Sequence, residues 1–128
     1  MSEDNKAVVR KVNEAFLKGN FEGFLKFCAD DVVWTFVGDR TVNGREAIRR
    51  WMADMAKENP EPPKFTVIDP VIAEGDFVVS CGDMTMKDKH GETGQYSYCD
   101  IYRFRGDKIA ELNSFVVKIQ SKSETKGA

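Results

Sequence analysis

Asp100 is the residue whose position in the sequence most favours acid–base chemistry. It lies in the segment 93–105, in which aromatic residues alternate with residues of other types. Alternate side chains of a β-strand point to the same face of the sheet, so a strand here would place this carboxyl in an aromatic row. The other members of that row are Tyr96, Tyr98, Tyr102 and Phe104. Desolvation among aromatic rings raises the pKa of a carboxyl, which suits proton transfer near neutral pH.

Other kinds of chemistry have weaker support in the sequence. Cys28, Cys81 and Cys99 are an odd number of cysteines without a CxxC spacing, and His90 is the only histidine. We therefore expect neither a disulfide framework nor a zinc site. His90 lies in the segment KDKHGE, whose charges and glycine indicate an exposed hairpin tip. The sequence contains no glycine-rich phosphate loop, and we expect no metal and no other cofactor.

The composition indicates one ordered domain without a strong charge. The chain has 128 residues, the length of a single domain, and 41% of them are hydrophobic, which is enough for a core. A formal net charge of −2 argues against binding to nucleic acid or to an anionic membrane. The polar start MSEDNK and the lack of a long apolar run predict a cytoplasmic protein. We expect residues 120–128 to form a flexible tail.

The first half of the chain predicts three helices and one strand. Apolar residues spaced by three and four predict helices at 6–18, with Gly19 as the C-terminal cap, and at 44–58, with a short helix between Phe21 and Cys28. The β-branched and aromatic segment 32–37 predicts a strand. Residues 38–44, with the sequence GDRTVNG, predict a loop.

The second half predicts four strands. They follow a stiff connector at 60–63, where the sequence PEPP cannot continue a helix. We expect strands at 64–73, with an irregularity at Pro70, and at 77–87, 93–105 and 108–119. Helices followed by a run of antiparallel strands indicate an α+β fold, with the helices on one side of a curved sheet.

Three segments give the sequence a family resemblance. They read GNFEGFLKFCADDVVWTF, NGREAIRRWM and CDIYRFRGDKIAEL. Together they resemble the nuclear transport factor 2-like superfamily, in its SnoaL-like polyketide cyclase and ketosteroid isomerase branch, over residues 6–119. The resemblance implies a cystatin-like cone, in which three N-terminal helices pack on a curved, mainly antiparallel sheet. The superfamily includes isomerases, cyclases, hydrolases, dehydratases and binding proteins, so the fold alone does not give the function.

The resemblance also predicts which residues line the cone. Asp100 would point inward, and comparison with the family pattern places Val79, Cys81, Asp83 and Thr85 inward on the strand 77–87. The strand 108–119 would contribute Leu112, Ser114 and Val116. The rest of the substrate-binding wall would comprise Val12, Phe16, Trp34, Phe36, Trp51, Met55, Tyr98 and Tyr102.

Two known mechanisms of the superfamily are incomplete in this sequence. Asp100 matches the protonated aspartic acid of the ketosteroid isomerases, but Phe36 and Val12 stand where those enzymes have their base and their oxyanion-hole tyrosine. Asp83 matches the first acid of the Asp-Arg-Asp set of the epoxide hydrolases. Cys81 and Ser114 replace the other two members of that set.

A pair of carboxyls, Asp83 and Asp100, remains as the predicted catalytic site. Two carboxyls in one apolar pocket do not both ionise easily, so Asp83 would act as the base while Asp100 holds a proton. This division suits proton abstraction beside a carbonyl group and aldol-type ring closure. The cyclases also pair a histidine with the aspartate, and His90 lies in the wrong place for that role.

Two functional hypotheses follow, together with one expected protein partner. The first is a cofactor-free isomerase or cyclase that acts on a small hydrophobic carbonyl compound, and the second is a non-catalytic ligand-binding or assembly protein of the same fold. The outer face of the sheet would carry Ile101, Phe115, Val117 and Ile119. Because no helix of the chain covers this face, we expect a homodimer to form through it.

Overall fold

Three helices and six strands form the part of the chain that the computed structural model describes, residues 2–58, 61, 63–87 and 90–119. The helices are α1 (Ser2–Leu17), α2 (Glu22–Leu25) and α3 (Arg45–Glu58). The strands are β1 (Cys28–Phe36), β2 (Arg40–Asn43), β3 (Lys64–Glu74), β4 (Phe77–Lys87), β5 (Thr93–Arg105) and β6 (Lys108–Lys118). The tail predicted at 120–128 lies outside the described residues, as do residues 59, 60 and 62 near the connector and residues 88 and 89 of the predicted tip.

The long helices follow the apolar spacing of the sequence. In α1 the residues Val9 and Val12 are fully buried, and in α3 the buried pair is Ile48 and Met52. The predicted cap at Gly19 is present, with a φ of 69°. Its amide donates to the Phe16 carbonyl, and the next amide, of Asn20, donates to the carbonyl of Ala15. These two bonds form a Schellman motif, which satisfies carbonyls at the end of α1.

The six strands form one mixed, mostly antiparallel sheet in the order β2-β1-β6-β5-β4-β3. Strands β1 and β6 are parallel, and the other neighbours are antiparallel. The prediction of a loop at 38–44 was wrong for Arg40–Asn43, which pair with residues 33–36 of β1. This edge strand is short and mostly exposed, so its sequence carries no apolar alternation. Pairing with β1, rather than a local signal, makes it a strand.

The irregularity predicted at Pro70 is confirmed. The register between β3 and β4 shifts between Ile68 and Ile72. A proline has no amide hydrogen to donate to a neighbouring strand, which makes such a site favourable for an interruption. At this point Val71 and Ile72 point to opposite faces of the sheet, and Val71 is buried while Ile72 is exposed.

The core lies between the helices and the inner face of the sheet. Helix α1 packs on β3 and β4, and α3 packs on β1 and β2. The largest fully buried side chains include Val9, Phe24, Leu25, Ile48, Tyr102, Ile109 and Leu112. The opposite face of the sheet keeps large apolar residues exposed, among them Ile72 and Val117. None of the described helices is long and apolar enough to cross a membrane.

Candidate functional site

Three neighbouring strands place Ser80, Asp100 and Ser114 in one row on the inner face. Asp100 of β5 lies directly opposite Ser80 of β4 and Ser114 of β6. Directly opposed residues of antiparallel strands point to the same side of the sheet. Both serines are buried, at 0% and 3% exposure. The acid is therefore flanked by two buried hydroxyl groups.

The carboxyl of Asp100 titrates close to neutral pH. Burial raises its pKa from 3.8 to about 6, and a hydrogen bond with Ser114 opposes part of this effect. Protein atoms surround the carboxyl, yet the residue keeps some accessible surface. At this pKa both the acid and the carboxylate are populated within the physiological range.

A directional set of hydrogen bonds orients Asp100. The Nε1 atom of Trp34 donates to the Oγ atom of Ser114 over 2.9 Å. An indole nitrogen only donates, so the Ser114 oxygen accepts this bond and the serine proton is free to be donated to Asp100. On the other side, the Nδ2 atom of Asn13 donates to the Oγ atom of Ser80 over 3.1 Å. Trp34 and Ser114 are therefore positioning residues for the carboxyl.

One continuous series of aromatic rings forms the wall beside this row. Neighbouring ring centroids in the series lie between 4.7 and 6.4 Å apart. In order, the members are Trp51, Phe36, Trp34, Phe16, Phe65 and Tyr98. Such spacings are typical of stabilising ring contacts. Phe65 was not predicted as a wall residue, because its strand at 64–73 has no clear inner face in the sequence.

Two buried polar atoms lack a hydrogen-bond partner among the described residues. They are the Nε1 atom of Trp51 and the hydroxyl of Tyr102. Burial holds the pKa of Tyr102 well above its usual value, so the phenol keeps its proton and both groups are donors. A buried donor without a partner costs about 1–3 kcal/mol. Both atoms would gain from a ligand or a water molecule that offers an acceptor.

Strands β5 and β6 present the faces that the sequence predicts. Tyr98, Tyr102 and Phe104 are buried on the inner face of β5, in the same row as Asp100. Leu112 and Ser114 are buried on β6, while Val116, opposite Tyr98, is 40% exposed. Of the other predicted wall residues, Val12 and Trp34 are buried, and Phe16, Phe36 and Trp51 are partly buried. Met55 is 39% exposed, and Met52 is buried on α3 instead.

The predicted inner face of β4 is wrong by one residue. Val79, Cys81, Asp83 and Thr85 lie on the outer face, and the inner face carries Val78, Ser80, Gly82 and Met84. Asp83 is exposed and accepts a hydrogen bond of 3.0 Å from the hydroxyl of Ser97. A shift of one residue turns every side chain of a strand to the opposite face. The predicted pair of inward carboxyls therefore does not exist, and Cys81 does not lie on the inner face.

Gly82 explains why the inner face of β4 is hard to recognise in the sequence. A Cβ atom at this position would lie 2.5 Å from the hydroxyl oxygen of Tyr98 and 2.3 Å from the carbonyl oxygen of Thr66. The glycine thus lets the Tyr98 side chain lie across β4. An isolated glycine within a predicted strand indicates the close approach of another segment. Gly82 was therefore the signal in the sequence for the contact with Tyr98.

A depression of about 450 Å³ lies elsewhere, near the turn at Gly106. Its lining includes two arginines, Arg103 and Arg105. Arg103 is paired with Glu111, and Arg105 is paired with Asp31. Because these cations are already matched by carboxylates of the same depression, the row around Asp100 is the better candidate site.

The family model of the SnoaL-like domain matches residues 9–112. The chain belongs to the SnoaL-like family. The match includes α2, α3 and strands β1 to β5 completely, and it ends within β6 at Leu112. No curated protein matches this SnoaL-like chain significantly.

Solved structures share the fold of this SnoaL-like protein. A nuclear transport factor 2-like protein of unknown function from Cytophaga hutchinsonii is 26% identical, with a TM-score of 0.72 over 88% of this chain and 98% of that chain. A protein from a Jannaschia species, provisionally assigned as a SnoaL-like polyketide cyclase, is 16% identical, with a TM-score of 0.77 and coverages of 90% and 86%. A protein from Kribbella flavida, provisionally assigned as a ketosteroid isomerase, is 17% identical, with a TM-score of 0.76 and coverages of 94% and 82%.

Proposed function

We propose that this SnoaL-like protein binds a small hydrophobic carbonyl compound and that Asp100 transfers a proton on the bound molecule. The observation that carries the proposal is the placement of one titratable carboxyl between Ser80 and Ser114, beside an aromatic wall. Among the described residues on the inner face of β4, β5 and β6, Asp100 is the only carboxylic acid. The reaction therefore depends on this single group.

A single carboxyl can perform both halves of a proton transfer. As a carboxylate, Asp100 would take a proton from a carbon beside the carbonyl group of the ligand, leaving an enolate. The resulting acid would return that proton to another carbon, which is an isomerisation. Alternatively, the enolate carbon attacks a second carbonyl of the same molecule, and Asp100 gives its proton to the new alkoxide, which is a ring closure.

The unpaired donors of the site suit the enolate oxygen. The Nε1–H group of Trp51 and the hydroxyl of Tyr102 are buried and without protein acceptors among the described residues. Donors that are already fixed where negative charge develops stabilise a transition state strongly, because they need no reorganisation. The aromatic series would bind the apolar part of the molecule, which favours a flat, hydrophobic ligand.

The comparisons support the reaction class without defining it. Two structural neighbours carry the names polyketide cyclase and ketosteroid isomerase, both provisional assignments and both below 20% identity. Isomerisation and ring closure beside a carbonyl are the steps that a lone carboxyl of this kind could assist. We carry the class of chemistry over to this chain as a proposal, and no particular substrate.

A non-catalytic binding protein is the second candidate. The observation that favours it is the exposed position of Asp83, which deprives Asp100 of the second carboxyl that the sequence predicts. On this reading, the aromatic wall and the two unpaired donors would hold a ligand that undergoes no reaction.

The experiment measures binding and proton transfer on the same compounds. A panel of cyclic and aromatic ketones would be screened by quenching of tryptophan fluorescence, since Trp34 and Trp51 belong to the wall. Exchange of the hydrogens beside the carbonyl would then be followed in deuterated water by NMR. For a bound ketone, we expect the wild-type protein to accelerate exchange and Asp100→Asn to slow it about 100-fold or more.

Asp83→Asn is the matched control, because it makes the same change on the neighbouring strand but outside the pocket. We expect this variant to exchange at the wild-type rate. Binding without exchange in the wild-type protein would favour the second candidate. Equal losses in Asp83→Asn and Asp100→Asn, or no binding of any ketone, would contradict the proposal.

A further inference from the structure

Two cysteines face each other on the side of the sheet opposite to the Asp100 site. Cys81 of β4 lies directly opposite Cys99 of β5. Both are free thiols and partly accessible. The function proposed above uses neither residue, so the inference that follows does not depend on it.

The hydrogen-bond pattern of the two strands determines how close the pair is. The Phe104 amide donates to the Asp76 carbonyl over 2.8 Å. Asp76 and Phe104 are therefore a hydrogen-bonded pair of the β4–β5 ladder. Hydrogen-bonded and non-hydrogen-bonded pairs alternate along an antiparallel ladder, and the register of β4 and β5 has no interruption. Five positions further along, Cys81 and Cys99 therefore form a non-hydrogen-bonded pair. Residues in such pairs have Cα atoms about 4.5 Å apart, within the range of about 4.4–6.8 Å found for disulfides.

We propose that Cys81 and Cys99 form a dithiol site that closes to an intramolecular disulfide when it meets a peroxide or a small-molecule disulfide. With hydrogen peroxide, the two thiols lose two hydrogens in total, and the oxidant is reduced to two molecules of water. With a small disulfide, one thiolate first forms a mixed disulfide and releases one small thiol. The second protein thiol then displaces the other small thiol and closes the bond between β4 and β5.

The surroundings of the pair favour closure over a lasting adduct. Phe115 lies opposite Cys99 on β6, and Ile68 lies opposite Cys81 on β3. Because Cys81 and Cys99 are direct neighbours across the two strands, an adduct on either one has its resolving thiol beside it. Cys28 is not available for this chemistry, since it is fully buried on β1 and burial raises its pKa to about 12.

The rate of closure is expected to rise with pH. Burial and the hydrogen bond with Cys81 raise the pKa of Cys99 to about 11. The thiolate is the reactive form, so closure through this sulfur is slow at neutral pH and faster in alkaline solution. The Cα spacing of about 4.5 Å lies at the short end of the disulfide range, and a bond formed there is expected to be readily reduced again.

The test uses the folded full chain, diluted until it is monomeric, together with oxidised glutathione, because a second copy on the outer face would shield both cysteines. After incubation at neutral and at alkaline pH, free thiols would be alkylated under denaturing conditions, and intact mass and peptide mapping would locate the cysteines. We expect the wild-type protein to lose the mass of two hydrogens and to yield a peptide link between Cys81 and Cys99. Closure should be faster at the higher pH and should reverse with dithiothreitol.

Cys81→Ser and Cys99→Ser separate the outcomes. Each variant should lose the intrachain link and retain glutathione on its remaining outer-face cysteine, because the resolving thiol is gone. Cys28→Ser is the matched control and should close as the wild-type protein does. Recovery of both outer-face thiols in the alkylated form, a link to Cys28, or a disulfide between two chains would overturn the proposal.

Discussion

The burial of Asp100 has a cost to the stability of the fold. Its carboxylate lies in an apolar part of the molecule, where Ser114 supplies one hydrogen bond and burial disfavours the charge. Below pH 6 the folded protein holds the proton, and above it the protein carries a partly desolvated negative charge. Groups at functional sites often lower stability in this way, because the environment that tunes their pKa is unfavourable for the charged form.

The first prediction concerns the pH dependence of stability. Burial raises the pKa of Asp100 from its usual value of 3.8, which applies to the unfolded chain, to about 6 in the folded protein. Between these values only the folded state binds the proton, so the free energy of unfolding falls as the pH rises. The full loss is about 3 kcal/mol and is complete above the folded pKa.

Relative to the wild type, Asp100→Asn should thus have a similar stability near pH 4 and a higher stability near pH 8. Urea unfolding across this range measures the difference, and Asp83→Asn should follow the wild-type curve.

The second prediction tests the positioning role of Ser114. Its hydrogen bond lowers the pKa of Asp100, so Ser114→Ala should raise that pKa above 6. Carbon NMR of labelled aspartate, followed from acidic to alkaline pH, gives the value directly. Ser80→Ala is the matched comparison on the other side of the carboxyl and should have the smaller effect. An unchanged Asp100 titration in Ser114→Ala would show that the bond does not control this group.

At the scale of elements, β4 depends on a close contact with a neighbouring strand. Gly82 faces Tyr98 on β5 and approaches the Thr66 carbonyl on β3. The strand therefore makes room for the Tyr98 side chain through the absence of a side chain of its own. Around this contact the inner face consists of small or flexible residues, namely Ser80, Gly82 and Met84, so Tyr98 determines the shape of the wall there.

The third prediction is that Gly82→Ala damages this contact. The new methyl group would lie 2.3 Å from a backbone oxygen, and backbone atoms cannot move aside as a flexible side chain can. We expect a loss of about 1–3 kcal/mol of unfolding free energy and a displaced Tyr98 ring.

Gly94→Ala is the matched control, because its methyl group would meet only the far end of the Tyr96 side chain, at 3.1 Å. Urea unfolding and tyrosine NMR signals measure the two effects. Equal stability of the two variants would contradict this account.

At the scale of the whole molecule, the two faces of the sheet differ in what covers them. Helices pack on the inner face, whereas large apolar side chains of the outer face remain exposed. They are Ile68, Ile72, Phe77, Phe115 and Val117, with exposures between 42% and 64%. Polar groups adjoin them on the same face, including the Asp83–Ser97 hydrogen bond and the Arg103–Glu111 ion pair. An apolar centre with polar surroundings is typical of protein interfaces.

We propose that a second copy of the chain covers this outer face, and the fourth prediction follows from it. Phe115→Glu places a charge at the centre of the face and should convert a dimer to a monomer. Leu17→Glu is the matched control, since Leu17 is 54% exposed at the end of α1 and away from the sheet. Light scattering coupled to size-exclusion chromatography measures both masses. A monomeric wild-type protein, or equal dissociation of both variants, would contradict the proposed dimer.

Local patterns in the sequence were sufficient for most of the fold. The bounds of β4 and β5 match the prediction at both ends, and α3 differs by one residue. The aromatic row around Asp100 was also predictable, because alternation within one strand is a local property. These features depend on residues close together in the chain. Edge strand β2 was missed because it has no local apolar pattern and exists through its pairing with β1.

The sequence by itself determined the elements other than β2 and the aromatic row of β5 that includes Asp100, and the tertiary structure decided which residues surround that acid. Apolar residues occur on both faces of β4, as Val78 and Val79 illustrate, so alternation could not select its inner face. Pairing with β5 made the selection, placing Ser80 beside Asp100 and bringing Cys81 against Cys99. Register between strands is a contact between distant parts of the chain, and a shift of one residue exchanges the two faces. For this reason, only the assembled sheet places Asp100 on one face and the cysteine pair on the other.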